Sequence, residues 1–306
     1  MTLHEVTALL DAEGIGARGG WLKMECWQPT GSFKIRGIGR LCETARRDGA
    51  KRLVSSSGGN AGMAAAWAGR RLGLAVTVVV PTTTPAHVVE RLQKLGAGVQ
   101  VAGSIWDEAD AVARELAGEA GSFYVSPFDH PEIWAGHATL IDEVVARGAQ
   151  PDGVVVSVGG GGLLCGIVEG MQRAGWTEVP VYAVETHGAA SMAAALAADA
   201  PVTIDAITTL ATTLGSRRVA DRAVALAREQ PVRSVLVSDH EAVTACARFL
   251  DTHRTLVEPA CGASLAALAA GRIPAERPLI VVCGGSGVTR AQLETWETSC
   301  ATEAVA

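Results

Sequence analysis

VVVSVGGGGLLCG, residues 154–166, joins a continuous apolar run to four consecutive glycines and then to a helix-forming segment. An apolar run without alternation fits a strand buried on both faces, as in a parallel sheet. Glycines at a strand-to-helix junction let the backbone turn sharply and approach a ligand, and the N–H groups at the helix start attract anions. Two further segments, SSSGGNAG (55–62) and VCGGSG (282–287), have the same build. In open α/β sheets ligands bind at this carboxyl edge. Three such junctions therefore predict an anion-binding edge rather than three plain turns.

Outward from these junctions, short β-branched runs alternate with amphipathic segments over nearly the whole chain. Strands are predicted at Trp21–Cys26, Leu53–Ser56, Ala75–Val80, Gly98–Ala102, Phe123–Val125, Val154–Val158, Val181–Val184, Val235–Val237 and Leu279–Val282. Helices are predicted at Asn60–Leu72, Ala86–Leu95, Trp106–Ala120 and Asp239–Asp251, among others. This βαβα order predicts an α/β architecture with mostly parallel sheets. Residues 199–215, rich in Thr and Ala, show no period and predict no regular element.

The 306 residues correspond to a prior of about two domains. Hydrophobic residues make up 48% and charged residues 19%, a balance that excludes intrinsic disorder. Net charge is −6 and no Lys/Arg run exceeds two residues, so the chain has no cationic stripe to displace the counterions of a nucleic acid. Apolar runs such as Ala75–Val80 are strand-sized, far short of the roughly 20 residues of a membrane span. The opening MTLHEVTALLDAEG lacks the cationic-then-apolar order of a secretory signal. Cysteines at 26, 42, 165, 246, 261, 283 and 300 are odd in number and lack CxxC spacing, which reads as reduced thiols. A soluble, cytoplasmic protein is expected, with no nucleic-acid or membrane partner.

In QPTGSFKIRG (28–37), Lys34 follows a Gly-Ser turn, with Ser32 in position to cap a helix beginning near Phe33. A lysine there sits at the positive end of the helix dipole, and the flanking Phe33 and Ile35 reduce its hydration. Both effects disfavour the charged form. A readily neutral amine is what Schiff-base chemistry needs; the alternative on local sequence is a solvated surface lysine. Nucleotide chemistry fits less well. GxxxxGK[ST] is absent. Glu185 ends the strand after Gly159–Gly162, as a ribose-binding acid would, but no register of VGGGGLLCG gives G-x-G-x-x-G/A.

QPTGSFKIRG, SSGGNAG, VVVPTTTPA (78–86), FDHPEIWAGH (128–137), VGGGGLLCG, VEPACGAS (257–264) and VCGGSG run in order over nearly the whole chain. Together they resemble the pyridoxal-phosphate enzymes of fold type II, the tryptophan-synthase-β-like family, and within it the catabolic L-serine/L-threonine dehydratases. The resemblance implies two open α/β domains with parallel sheets. A small domain, 29–132, would be inserted into a large one of 1–28 and 133–306, with pyridoxal 5'-phosphate in the interdomain cleft. It implies Lys34 as the Schiff-base lysine and then the base for the substrate α-proton. The N–H groups of Gly159, Gly160, Gly161, Gly162 and Leu163 would surround the cofactor phosphate. Asn60 would bond the ring hydroxyl, Phe33 would pack on the ring face, and Cys283 would face the pyridine nitrogen. Ser57, a catalytic residue in this pattern, would hold the substrate carboxylate together with Gly58, Gly59, Asn60 and Ala61. A thiol, with an ordinary pKa of about 8.5, does not support protonation of the pyridine nitrogen as a carboxylate would, and this favours prompt β-elimination. The alternative for Cys283 is a small buried hydrophobe.

ETHGAAS (185–191) matches a segment where the family often binds a monovalent cation, K+ or Na+. Glu185, Ser191, Leu214 and Ser216 occupy the matching positions; the alternative is a strand-end glutamate bonding nearby backbone. His137 and His187 read as packing or hydrogen-bonding residues. The implied reaction converts L-serine or L-threonine to pyruvate or 2-oxobutyrate plus ammonia, in a homodimer. Lys34-Ile35-Arg36 resembles the dehydratase/racemase form of a segment that sulfhydrylases and cystathionine synthases write Lys-Asp-Arg. Gly58 stands where serine racemases carry a serine acid, which implies elimination rather than racemisation. Gly287, where close relatives have Asn, and Trp27, directly before Gln-Pro, depart from the pattern. They keep open a specialised lyase or β-replacement enzyme acting on another β-substituted amino acid. An inactive cofactor-binding or structural homologue is the alternative outside catalysis.

Overall fold

The computed structural model describes residues 2–12 and 19–303. β1 (Leu9–Asp11) and β2 (Trp21–Lys23) come first, as an antiparallel pair. There follow α1 (Lys34–Arg47), β3 (Arg52–Ser55), α2 (Asn60–Leu72), β4 (Ala75–Val80), α3 (Ala86–Lys94), β5 (Gly98–Val101), α4 (Trp106–Ala117) and β6 (Ser122–Tyr124). Next are α5 (Pro131–Ala146), β7 (Gly153–Ser157), α6 (Gly162–Arg173), β8 (Val181–Thr186), α7 (Ser191–Ala198) and α8 (Asp221–Glu229). β9 (Val232–Val237), α9 (Asp239–His253), α10 (Pro259–Ala269), β10 (Pro278–Val281) and α11 (Arg290–Glu303) complete the order. The chain forms two compact units: residues up to Glu5 with Gln28–His137, and Val6–Trp27 with the chain from Ala138 onward.

The first unit holds a four-stranded parallel sheet in the order β5-β4-β3-β6. Successive residues of a strand face opposite sides. Leu53 of β3 accordingly joins the core formed with Ile35, Ile38 and Leu41 of α1 and Ala64, Ala65 and Ala68 of α2. Its neighbour Val54 packs with Val79, Ala109 and Ala113 on the other face. The chain steps from β3 to β4 and β5 on one side and then places β6 on the other, so the strand order reverses between β3 and β6.

The second unit holds a six-stranded sheet in the order β1-β2-β10-β7-β8-β9, parallel except for β1. Every residue of β7, β8 and β10 is buried, as expected for continuous apolar runs flanked by helices. Here the order reverses between β7 and β10. The two open parallel sheets are the α/β architecture expected from the sequence.

Two local readings change. β1 has no apolar alternation to signal it and exists through pairing with β2. Ser32 does not cap α1. Phe33 is already helical (φ −54°, ψ −22°) at the N-cap position, whereas a capping residue is normally extended. Ser32 thus lies one residue outside the helix, with its hydroxyl buried and without a partner. Residues 199–215 carry a single 3-10 turn, Thr212–Leu214, among the elements described.

Beneath β2 the second unit buries charge. Lys23 is 1% exposed, with Nζ 2.5 Å from Glu143 Oε2 and 3.7 Å from Glu25 Oε1. It also donates to Thr7 O at 2.8 Å and Thr7 Oγ1 at 2.6 Å. Removing one partner of a buried pair leaves the other charge uncompensated. Lys23→Ala is therefore expected to cost about 3–5 kcal/mol, read as a lower urea midpoint; an unchanged midpoint would show that the pair contributes nothing.

Candidate active site

In the first unit, site residues leave the sheet on both sides of its strand-order reversal. The chain leaving β3 runs through Ser56, Ser57, Gly58 and Gly59 into α2. Gly59 occupies the N-cap position in an extended conformation, and no side chain caps the helix. The helix therefore begins without an N-cap side chain, and an anion is a natural complement of such a start. Gly59 N donates to Ser57 Oγ at 3.3 Å, Asn60 is 7% exposed, and Ala61 is buried. One contact holds this loop against its own helix: a Cβ at Gly62 would lie 1.7 Å from Ser57 O. Sequence reasoning gave Gly62 no role; its only signal was membership of the glycine cluster.

The chain leaving β6, the neighbour of β3, holds the lysine. Lys34 Nζ donates to Pro127 O at 2.6 Å and lies 5.2 Å from the centre of the Phe33 ring. Phe33 in turn meets His137, ring centres 4.9 Å apart. His137 is fully buried, and neither ring nitrogen has a hydrogen-bond partner. Burial first, then the nearby charges of Lys34, Arg36 and His4, hold its pKa well below the ordinary value, so the imidazole is neutral. It reaches this place because α1 and the first half of α5 pack through glycine. A Cβ at Gly37 would lie 2.6 Å from Ile133 O and 2.7 Å from His137 Cε1.

In the second unit, the glycine loop and Cys283 leave adjacent strands, β7 and β10, at the corresponding reversal. Gly161, at the N-cap of α6, has φ +88°, which side chains rarely adopt, and no side chain caps this helix either. A Cβ at Gly159 would lie 3.2 Å from Thr213 O, and one at Gly161 2.8 Å from Ala223 Cβ. Gly160 O accepts from Ala220 N at 2.9 Å, and Leu163 is 5% exposed. With Gly162 opening the helix, the loop offers backbone alone. Cys283 is buried, and its thiol pKa is raised, first by a hydrogen bond with Cys261, then by burial and by Cys261 and Glu258 nearby. The thiol is neutral.

Glu258 is a residue that sequence reasoning passed over. Thr213 Oγ1 donates to its Oε1 at 2.8 Å, and a Cβ at Gly285 would lie 2.6 Å from its backbone N. It thereby ties the 212–214 turn beside Gly159 to the loop that follows Cys283. Its position within VEPACGAS was the only available signal.

At the end of β8, Glu185 accepts from Met192 N at 2.7 Å and Ala193 N at 2.8 Å, holding the start of α7. Ser191 Oγ is buried without a partner. Ser216 Oγ donates to Arg218 O at 2.6 Å, while Leu214 O accepts from Ser216 N at 2.7 Å. Burial pushes the Glu185 pKa up to about 7 against the pull of the two N–H donors. A carboxyl with a raised folded pKa adds stability at low pH and loses it as pH rises through the folded value. In tetramethylammonium buffers, the stability of the parent relative to Glu185→Gln is expected to fall by about 3 kcal/mol between pH 4.5 and 8. A constant difference across that range would rule out the raised value.

A family model described as "Pyridoxal-phosphate dependent enzyme" matches residues 1–284. The chain is 48% identical to a mouse (Mus musculus) protein named "Serine dehydratase-like", over 95% of this chain and 93% of that one. It is 45% identical to the human (Homo sapiens) "L-serine dehydratase/L-threonine deaminase", over 95% of this chain and 94% of that one. A solved fungal L-serine ammonia-lyase from Rhizomucor miehei superposes with a TM-score of 0.92 at 33% identity, covering 97% of this chain and 99% of that one. On sequence and fold alike, this chain belongs to the pyridoxal-phosphate dependent enzyme family.

Proposed function

We propose that the chain catalyses the pyridoxal-phosphate-dependent β-elimination of L-serine and L-threonine, giving pyruvate or 2-oxobutyrate and ammonia. The observation that carries this reading is that the Lys34 amine is held by Pro127 O, just after β6, while the uncapped loop Ser57–Ala61 follows β3, the strand next to it. One group can take an α-proton and the other can hold the α-carboxylate. The names of the relatives, serine dehydratase, threonine deaminase and L-serine ammonia-lyase, support the same substrates.

The residues present fit the cofactor. The start of α6 is uncapped, and side chains are kept out of its cradle by the close contacts at Gly159 and Gly161. Gly159–Leu163 would thus hold a phosphate on backbone N–H groups. Lys34 Nζ would carry the cofactor covalently, Phe33 would lie against its ring, and Asn60 would bond its hydroxyl. When bound, pyridoxal phosphate supplies an electron sink for the α-carbon. Lys34 Nζ then takes the substrate α-proton. The Ser57 hydroxyl and the N–H groups of Gly59, Asn60 and Ala61 orient the carboxylate. Cys283 Sγ keeps its own proton and would offer the ring nitrogen a neutral partner in place of a carboxylate.

Gly58 separates elimination from racemisation. It bears no group to hold a proton on the second face, and a Cβ there would come within 3.2 Å of Val80 Cγ1 and 3.3 Å of Thr84 Cγ2. A second reading, a lyase or β-replacement enzyme for another β-substituted amino acid, is favoured by Gly287. The nearest atom to a Cβ there is Glu258 Oε2, at 3.9 Å, so space lies open beside a carboxylate.

We extend the reading to a monovalent cation near Ser191, whose buried, unpartnered hydroxyl supports it. Among the described residues no three His, Cys, Asp or Glu side chains converge as a ligand set. Such an ion would rely on hydroxyl and backbone oxygens, the hard donors that suit K+ or Na+. A cytoplasmic homodimer completes the proposal.

Supplied with the cofactor, the protein is expected to turn over L-serine or L-threonine to the 2-oxo acid, with borohydride fixing the label on Lys34. Lys34→Ala should lower turnover by about a thousandfold or more. A substrate panel in which neither amino acid reacts while another β-substituted one does would replace the substrate assignment. Gly58→Ser should introduce measurable α-proton exchange into the opposite enantiomer; no exchange would mean that another group governs the second face.

A further inference from the structure

Three serines in a row, Ser55, Ser56 and Ser57, lead from β3 into the loop before α2. Alternation along an extended chain turns the middle one away from its neighbours. Ser56 is completely buried, and its hydroxyl donates to Asp110 Oδ1 at 2.6 Å. The same carboxylate accepts from the Tyr124 hydroxyl, in a very short hydrogen bond, and from Arg114 Nε at 2.7 Å. The Arg114 guanidinium also lies 4.3 Å from the centre of the Tyr124 ring. Three side chains, from the end of β3, from β6 and from α4, thus close on the one carboxylate of Asp110, beside the start of the Ser57 loop. Burial alone would raise the Asp110 pKa, but the hydrogen bonds from Ser56, Tyr124 and Arg114 outweigh it and lower it, so the group is ionised.

This arrangement does not follow from packing. α4 already docks on the sheet through Ala109 and Ala113 against Val54 and Val79. Asp110 and Arg114, one residue further on, form a polar row beside that apolar one. A buried charge is a costly way to fasten a helix to a strand, and apolar residues serve as well or better. What the network achieves is local: it fixes the backbone at Ser56, and through it the loop that begins at Ser57.

We propose that Asp110, acting through Ser56 with Tyr124 and Arg114 behind it, is a positioning residue for the substrate-carboxylate loop. The proposal rests on reading residues 57–61 as the binder of that carboxylate. Donors of this kind lose much of their value when misplaced by about 1 Å. The network therefore sets affinity for the carboxylate and leaves proton removal by Lys34 untouched.

The test uses the cofactor-loaded protein and two probes without a leaving group: L-alanine, and ethylamine, which lacks the carboxylate. Titration calorimetry is expected to show the parent binding L-alanine far more tightly than ethylamine. Ser56→Ala and Asp110→Ala should each weaken L-alanine by about tenfold or more and leave ethylamine unchanged. They should raise KM for the reacting amino acid with little change in kcat, and the double variant should be no worse than the poorer single one. Asp110→Asn, which retains an oxygen toward Ser56, should recover part of the loss. Ser56→Ala keeps Asp110 paired with Tyr124 and Arg114, so it remains informative if Asp110→Ala does not fold. If the parent itself does not prefer L-alanine, the carboxylate reading of the loop fails. If the parent does and both variants keep the full preference, the positioning role is overturned.

Discussion

In each unit the strand order reverses between two neighbouring parallel strands, and the chain leaving each of those strands carries candidate site residues. At such a reversal open α/β sheets take their ligands, and the helices α2 and α6 that follow begin without an N-cap side chain. This constraint precedes any particular chemistry. In the first unit it brings the Ser57 loop and the Lys34 anchor to neighbouring strand ends, β3 and β6. In the second it does the same for the glycine loop and Cys283, at β7 and β10. The same solution, used twice, yields one unit that carries the Lys34 amine and the Ser57–Ala61 loop and another that carries the glycine loop and the Cys283 thiol.

Neutrality and charge are distributed with care around these gaps. Cys283 and His137 are both buried and both held uncharged, the first by its bond to Cys261 and by burial, the second by burial and the nearby Lys34, Arg36 and His4. Asp110, also buried, is held ionised by three donors. The difference is hydrogen bonding to the charged form, which Asp110 has in full and His137 lacks altogether. Cys283 and the His137 that backs Phe33 are thus kept electrically quiet, while the charge of Asp110 is held by its own donors.

Much of this was legible in the amino-acid order because burial on both faces writes strands such as β7 and β10 as unbroken apolar runs. Each glycine cluster marks a strand-to-helix junction for a steric reason. Lys34 and the loops around it follow from motifs that are continuous in the chain. What escaped was either too short or too scattered. β1 exists only through its partner strand, and Ser32 looked like a cap because nothing local announces that Phe33 is already wound into the helix. The Asp110 network draws on positions 56, 110, 114 and 124, and Glu258 meets Thr213 across 45 positions. No pattern in the chain joins such partners until the sheet does.

Gly62 shows how little material can hold such a loop. The path of the Ser57 carbonyl depends on a carbon atom that is not there, since a Cβ would stand 1.7 Å from that oxygen. Every base change in a glycine codon that alters the residue either ends the chain or adds a Cβ. The position has no conservative neighbour in the genetic code, and a residue with no chemistry of its own becomes one of the least substitutable in the molecule.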